Sequence, residues 1–208
     1  LSIADAVTGC SDSLIETAIK IAPTCKSHIY RIFNGTRLDL GSEVGEFEED
    51  NHFILGIGRL VPVKGFDILV RAFASVVDRL NSNLVIAGDG VEKENLENLA
   101  IELGIHERVK FLGSVSRSQV VSLLKKSKYL VIPSRNEGLS IIAIEATMTG
   151  CAVIASNVGG LPDVIENGVN GLLFEKENIS DLGQKMCLFE NDPSLRRFLE
   201  KNGLERSK

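Results

Sequence analysis

Two cations and two carboxylates stand where this sequence could bind or transfer a charged ligand. Arg59 and Lys64 lie in Gly56-Ile57-Gly58-Arg59-Leu60-Val61-Pro62-Val63-Lys64-Gly65, between an apolar run and a helical pattern. An Arg offers a planar fork to phosphate oxygens and a Lys a compact point charge. The segment begins like a dinucleotide fingerprint, but Val61 occupies the place of the third glycine. Lys64 could simply pair with Asp67 on the same helix. A cation at a helix N-terminus opposes the helix dipole, however, unless an anion sits there too.

The two carboxylates are Glu137 and Glu145. Glu137 falls in Pro133-Ser134-Arg135-Asn136-Glu137-Gly138-Leu139-Ser140, just ahead of an expected helix; Glu145 falls about two turns inside it. Eight residues of helix rise roughly 12 Å, too far for a shared proton and suited to hydroxyls at two ends of an elongated ligand. The helix around Glu145 is apolar on nearly every side, so it should be central and buried. A carboxylate there must find hydrogen bonds or face a polar cleft. The amides of Gly138, Leu139 and Ser140 are expected to form the helix N-terminus, a natural anion site. The plain alternative makes Glu137 a first-turn cap and Glu145 the partner of a buried Arg.

A third cluster, Ser156-Asn157-Val158-Gly159-Gly160-Leu161-Pro162-Asp163, reads as a turn entering a helix with Pro162 in its first turn. Glycines at Ala87-Gly88-Asp89-Gly90 and Leu112-Gly113-Ser114-Val115 permit close approach of a ligand but do not identify it.

These clusters need a scaffold, and the apolar pattern supplies one. Buried strands are expected at Phe53–Ile57, Leu84–Ala87, Val109–Leu112, Tyr129–Ile132, Ala152–Ala155 and Leu172–Phe174. Helical spacing appears between them. Lys64–Leu80 carries Ile68, Leu69, Ala72, Phe73, Val76, Val77 and Leu80 on one stripe. Glu92–Leu103 and Ser116–Lys126 follow, the latter with Ser116 as cap. Strands buried on both faces and alternating with helices predict an α/β domain: a doubly wound, Rossmann-like parallel sheet of about six strands, covered on both sides. In such sheets ligands bind at the carboxyl ends of the strands, where all the polar clusters fall.

Residues 1–37 have a different texture, with a strand expected at Ala6–Cys10 and a helix at Ser13–Ile21 capped by Ser11 or Asp12. Asn34-Gly35 is a strong turn signal. Residues 38–50 read as an acidic linker; Asp39–Asp50 holds six acidic residues. The remainder, 51–208, forms the main domain. The linker suggests that residues 1–37 are the tail of a preceding unit, and Leu1, which is not an initiator Met, that the chain is a fragment or processed product. With 23 basic and 28 acidic residues the net charge is −5 over 208 residues, against general binding to nucleic acid. No apolar run approaches the roughly 18–20 residues of a membrane span. Cys10, Cys25, Cys151 and Cys187 lack paired spacing, which predicts reduced thiols in a cytoplasmic protein. His28, His52 and His106 are scattered, and no metal site is expected.

The ordered set resembles a known family. It comprises Gly58-Arg59, Lys64-Gly65, Ala87-Gly88-Asp89-Gly90, Phe111-Leu112-Gly113, Pro133-Ser134 with Glu137-Gly138, Glu145-Ala146, Gly150, and Gly159-Gly160-Leu161-Pro162. It is similar to the C-terminal, donor-binding domain of glycosyltransferase family 4, retaining enzymes of the two-domain GT-B fold, over roughly residues 51–190. The resemblance implies that Arg59 and Lys64 neutralise the donor diphosphate and the charge developing on the departing nucleotide. It implies catalytic roles for Arg59, Lys64 and Glu137, with Glu137 on the sugar hydroxyls. It also implies that Gly58 and the amides of Gly138, Leu139 and Ser140 approach the phosphates, that Glu145 holds the ribose, and that Gly113 and Val115 line the base pocket. No cofactor or metal is implied beyond a nucleoside-diphosphate sugar (UDP, GDP or ADP) as donor. The partner would be an N-terminal acceptor domain of the same hexosyltransferase, without which the fragment should be inactive. Thr36 and Arg37 depart from the family's usual hydrophobic residue and Asp after Asn-Gly, and Asp163 stands where Glu is common. The chain ends before the helix that in the family returns to the first domain; membrane association of the intact enzyme is left open.

Two other functions fit the same architecture. A nucleotide-sugar 2-epimerase would need further acid–base carboxylates and histidines in the cleft, and a non-catalytic binding module would not need the four charged residues intact. A Rossmann dehydrogenase fits worst, because the third glycine is absent.

Overall fold

The computed structural model describes residues 4–32 and 53–207. The expected turn at Asn34-Gly35, Thr36, Arg37, the acidic linker 38–50 and His52 lie outside the described residues.

In the first segment β1 (Val7–Gly9) pairs in parallel with β2 (Ile29–Arg31), joined through α1 (Asp12–Ile21). Ser11 is the N-cap of α1, its hydroxyl accepting from the Leu14 amide. The strand and helix are those expected; β2 is additional.

The second segment builds a six-stranded, wholly parallel sheet. Its strands are β3 (Ile54–Ile57), β4 (Leu84–Ala87), β5 (Val109–Gly113), β6 (Tyr129–Ile132), β7 (Val153–Ser156) and β8 (Leu172–Phe174). Expected bounds hold within one residue. The order across the sheet is β5-β4-β3-β6-β7-β8. The chain therefore runs outward from β3 to β5, then returns to β3's other side and runs outward again. The reversal lies between β3 and β6, the place where such sheets open a crevice for ligands.

Alternate strand residues face opposite sides, so each strand feeds two cores. Ile54, Ile86 and Val131 pack on one face with Leu69, Phe73, Leu96, Leu182 and Phe189. These come from α2 (Phe66–Val76), α3 (Lys93–Glu102) and α6 (Ile179–Asn191). Leu55, Val85 and Leu130 pack on the other face with Leu123, Leu124, Ala143 and Ala146 of α4 (Arg117–Lys126) and α5 (Ile141–Thr149). The last helix, α7 (Pro193–Arg206), joins the first core through Leu199 and lays Gly203 against Thr147 of α5. Neither α6 nor α7 was expected from the sequence.

Three local expectations are corrected. The helix expected from Lys64 begins at Phe66, because Pro62–Lys64 forms a 3₁₀ turn closed by Gly65 in the left-handed region. A Cβ on Gly65 would lie 2.1 Å from the Pro133 carbonyl oxygen, so only glycine lets the two loops approach this closely. The stretch after Gly159-Gly160 forms turns, with Pro162 entering no helix. Finally, α5 is not buried all round: Ala143, Ala146 and Glu145 are buried, while Ile141, Ile142, Ile144 and Met148 are half-buried.

At the amino edge of the sheet, opposite the polar clusters, the buried Glu190 carboxylate accepts from Lys128 Nζ (2.8 Å), the Asn81 amide (3.1 Å) and Ser82 Oγ. This ties α6 to the loops entering β4 and β6. Among the described residues no helix is long and apolar enough to cross a membrane.

Candidate active site at the sheet reversal

The β3–α2 loop leaves the carboxyl end of β3, and the β6–α5 loop leaves that of its neighbour β6. Parallel pairing makes these loops adjacent, and specific bonds lock them together. The Arg135 amide donates to the Val63 carbonyl at 2.8 Å. Lys64 Nζ lies 2.6 Å from Glu137 Oε2, which also accepts from Ser134 Oγ at 3.0 Å. Ser134 is itself anchored, its carbonyl accepting from Ser156 Oγ of β7 at 2.5 Å. A cation and a carboxylate separated by 73 residues in the chain thus meet at the reversal. The pairing of Lys64 with Asp67, the plain alternative, is not what forms; Asp67 binds Arg135 instead.

Behind Glu137 the turn of the third cluster acts as a support. The Gly160 amide donates to the Glu137 carbonyl at 2.9 Å. Gly159 sits at φ 55°, and a Cβ there would fall 1.9 Å from that same carbonyl oxygen. The Gly-Gly pair therefore serves the geometry of the Glu137 backbone.

On the other side of β3, Gly58 and Arg59 line a cavity of about 270 Å³ with Ile57, Ala87, Gly88, Asp89, Ser114 and Val115. Arg59 is exposed there. Gly113 ends β5 just before this lining, its carbonyl accepting from the Gly88 amide at 2.7 Å. Arg59 and Val115, expected to hold diphosphate and base, thus share one concavity.

Glu145 sits in the second turn of α5 with its side chain only 5% exposed, and its Oε1 lies 2.7 Å from Arg117 of α4, which is 60% exposed. The expected partnership with an Arg is present, but the Arg is a surface residue. Arg117 follows Val115 and Ser116, where a capping box starts α4, so Glu145 is tied to the first turn of α4, two residues along the chain from the Val115 that lines the cavity.

The helix N-terminus lies beyond the expected amides. Ser140 is the N-cap of α5, so the unpaired first-turn amides are those of Ile141, Ile142 and Ala143. Gly138, Leu139 and Ser140 belong to the approach loop, and the 12 Å helical separation of the glutamates does not apply. Leu139 lines a second cavity, of about 280 Å³, between α5 and α7. Gly138 faces the first segment, where a Cβ would lie 3.6 Å from Leu14.

Arg135 is the principal site residue to which sequence reasoning gave no role. Both its terminal nitrogens engage Asp67 (2.8 and 2.7 Å), Nη1 also reaches the Pro62 carbonyl (2.7 Å), and Nε reaches Glu177 (2.8 Å). Burial alone would raise the Asp67 carboxyl, but the Arg135 hydrogen bonds and charge outweigh it and hold Asp67 below its ordinary value. The sequence offered one signal: an Arg two residues before Glu137 in the loop that follows a buried strand. No group of three or more His, Cys, Asp or Glu side chains that could hold a metal ion occurs among the described residues.

The glycosyl transferases group 1 family matches residues 41–206, and the chain belongs to that family. It is 36% identical over 183 residues to an uncharacterized glycosyltransferase of Methanocaldococcus jannaschii, covering 88% of this chain and 50% of that protein. Its fold superposes on sucrose-phosphate synthase from Thermosynechococcus elongatus with TM-score 0.86 and 28% identity, covering all of this chain and 54% of the other. HepE of Anabaena, solved in complex with UDP, gives TM-score 0.84 and 25% identity over 98% of this chain and 59% of that one. The fold is thus that of the GT-B glycosyltransferases. The chain spans about half the length of the first curated relatives it matches.

Proposed function

We propose that this chain is the donor-binding part of a retaining glycosyltransferase that moves a hexosyl group from a nucleoside-diphosphate sugar to an acceptor held by an N-terminal unit. The observation that carries this is the meeting of Lys64 and Glu137 at the sheet reversal, beside the cavity lined by Gly58, Arg59 and Val115. A diphosphate entering between these groups competes for the Lys64 ammonium and frees the Glu137 carboxylate to accept hydrogen bonds from sugar hydroxyls.

In the transition state the bond from the anomeric carbon to the diphosphate oxygen breaks, and negative charge accumulates on the leaving nucleotide. Arg59 and Lys64, held in place beforehand, stabilise that charge without reorganisation. First-turn amides of α5 add partial positive charge. Glu145 accepts from the ribose hydroxyls, and the Gly113–Val115 backbone borders the base. With these cations the reaction needs no metal. The chain alone binds donor but transfers little, since the acceptor wall belongs to the other unit. Its four free thiols suit a reducing, cytoplasmic setting. The UDP bound by HepE supports the ligand class.

Calorimetric titration with UDP, GDP and ADP tests this. One of the three should bind the wild type, and Lys64→Ala and Glu145→Ala should each weaken it by about tenfold, the worth of one charge-assisted contact. No binding at millimolar concentration, or unchanged affinity in both variants, would overturn the assignment.

A further inference from the structure

We propose that Arg135 is the positioning residue of this site: it joins three loops at the carboxyl edge of the sheet and so sets where the Lys64 ammonium stands. The inference rests on the donor-binding function proposed above. Arg135 leaves the β6–α5 loop between Ser134 and Glu137 and reaches the β3–α2 loop twice, at the Pro62 carbonyl (2.7 Å) and by its own amide at the Val63 carbonyl (2.8 Å). Those two residues immediately precede Lys64. Its fork then closes on both Asp67 oxygens in the first turn of α2, at 2.8 and 2.7 Å. Pro62–Lys64 is thereby held from both ends, by Arg135 and by Gly65 pressed against the Pro133 carbonyl.

The third loop supplies the argument that this is more than a surface ion pair. Glu177, between β8 and α6, is the sole non-glycine residue with positive φ among the described residues, at 59°. A glutamate in that conformation is strained, and such strain persists where surrounding contacts fix it. Here it aims the carboxylate at Arg135 Nε, at 2.8 Å. Guanidinium geometry is what the arrangement uses: a planar fork satisfies one carboxylate with two nitrogens while still reaching a carbonyl and a second carboxylate. A lysine ammonium cannot span the four acceptors in that plane. With four of its five side-chain N–H donors committed in this way, Arg135 acts on the site by fixing the loop that carries Lys64.

A role through Lys64 predicts a change confined to the phosphates that Lys64 touches. The test compares calorimetric affinities of the tightest-binding nucleoside diphosphate and its monophosphate on the wild-type chain, Arg135→Ala, Arg135→Lys and Asp67→Asn, with melting temperatures recorded for each. The expected result is a fall of about tenfold for the diphosphate in Arg135→Ala, with the monophosphate changed less than about twofold, and partial recovery in Arg135→Lys. Asp67→Asn, which spares the guanidinium, keeps the protein folded if Arg135→Ala does not, and should show the same selective loss. Equal losses for both nucleotides, or no loss, would mean a purely structural role and overturn the proposal. Failure of the wild type to bind any diphosphate would instead remove the donor-binding function, and this inference with it.

Discussion

Lys64 and Glu137 neutralise one another, and this makes the site a poised exchange rather than an open trap. Each side chain is largely covered, so neither could stay charged there alone at low cost. Under the proposed function, a diphosphate resolves the exchange by offering Lys64 a stronger anion. The neighbouring Arg135–Asp67 pair predicts a pH effect. The folded Asp67 carboxyl lies below its ordinary 3.8 because of Arg135, so its contribution to stability is fully present above 3.8 and is lost as pH falls through the lower folded value. Melting temperature followed down to pH 2 should therefore drop more steeply in wild type than in Asp67→Asn; parallel curves would contradict the pairing. At this scale the sequence exposed residue type well. Arg59, Lys64 and Glu137 could be picked because charged residues beside glycines in loops after strands have few structural uses, and Glu145 because a carboxylate inside an apolar helix needs a polar partner. Their partners could not, since Lys64–Glu137 and Glu145–Arg117 are fixed by loop packing between elements far apart in the chain.

Elements explain where expectation and structure part. The periodic stripe of α2 was legible because its buried residues recur at helical spacing, but its start was not. Lys64 fits the pattern, and only the Pro133 carbonyl facing Gly65 shows why the chain turns left-handed there. The same holds for α5: Gly138, Leu139 and Ser140 read as its N-terminus, yet Ser140 is the N-cap and the loop through Gly138 approaches without helical turns. Strands, buried on both sides, were read nearly to the residue. The 3₁₀ segment makes a specific prediction. Gly65→Ala should cost about 1–2 kcal/mol from the left-handed backbone alone, with more from the clash at Pro133, and should weaken diphosphate binding by moving Lys64. Denaturant unfolding and calorimetry check both halves; a variant of wild-type stability would refute the close approach.

Across the whole molecule, the two sheet edges have divided tasks. The carboxyl edge carries the exchangeable charges, while the amino edge carries Glu190 and Lys128, a buried pair that ties α6 to the sheet. Removing one partner strands the other, so Glu190→Ala should cost about 3–5 kcal/mol in urea unfolding, with nucleotide affinity kept under conditions where the variant remains folded. Little cost, or a selective loss of affinity, would contradict this division. The strand order could be narrowed from the alternation of strands and helices, but the placement of β6 beside β3 follows from tertiary pairing alone. That placement is what brings the Lys64 and Glu137 loops together. The most direct measurement is a crystal structure of the chain soaked with the nucleoside diphosphate that binds it. The terminal phosphates should lie within about 3 Å of the Lys64 ammonium, with Glu137 released from it and the base toward Val115. Phosphates bound away from the β3–β6 reversal, with Lys64 still on Glu137, would contradict the account.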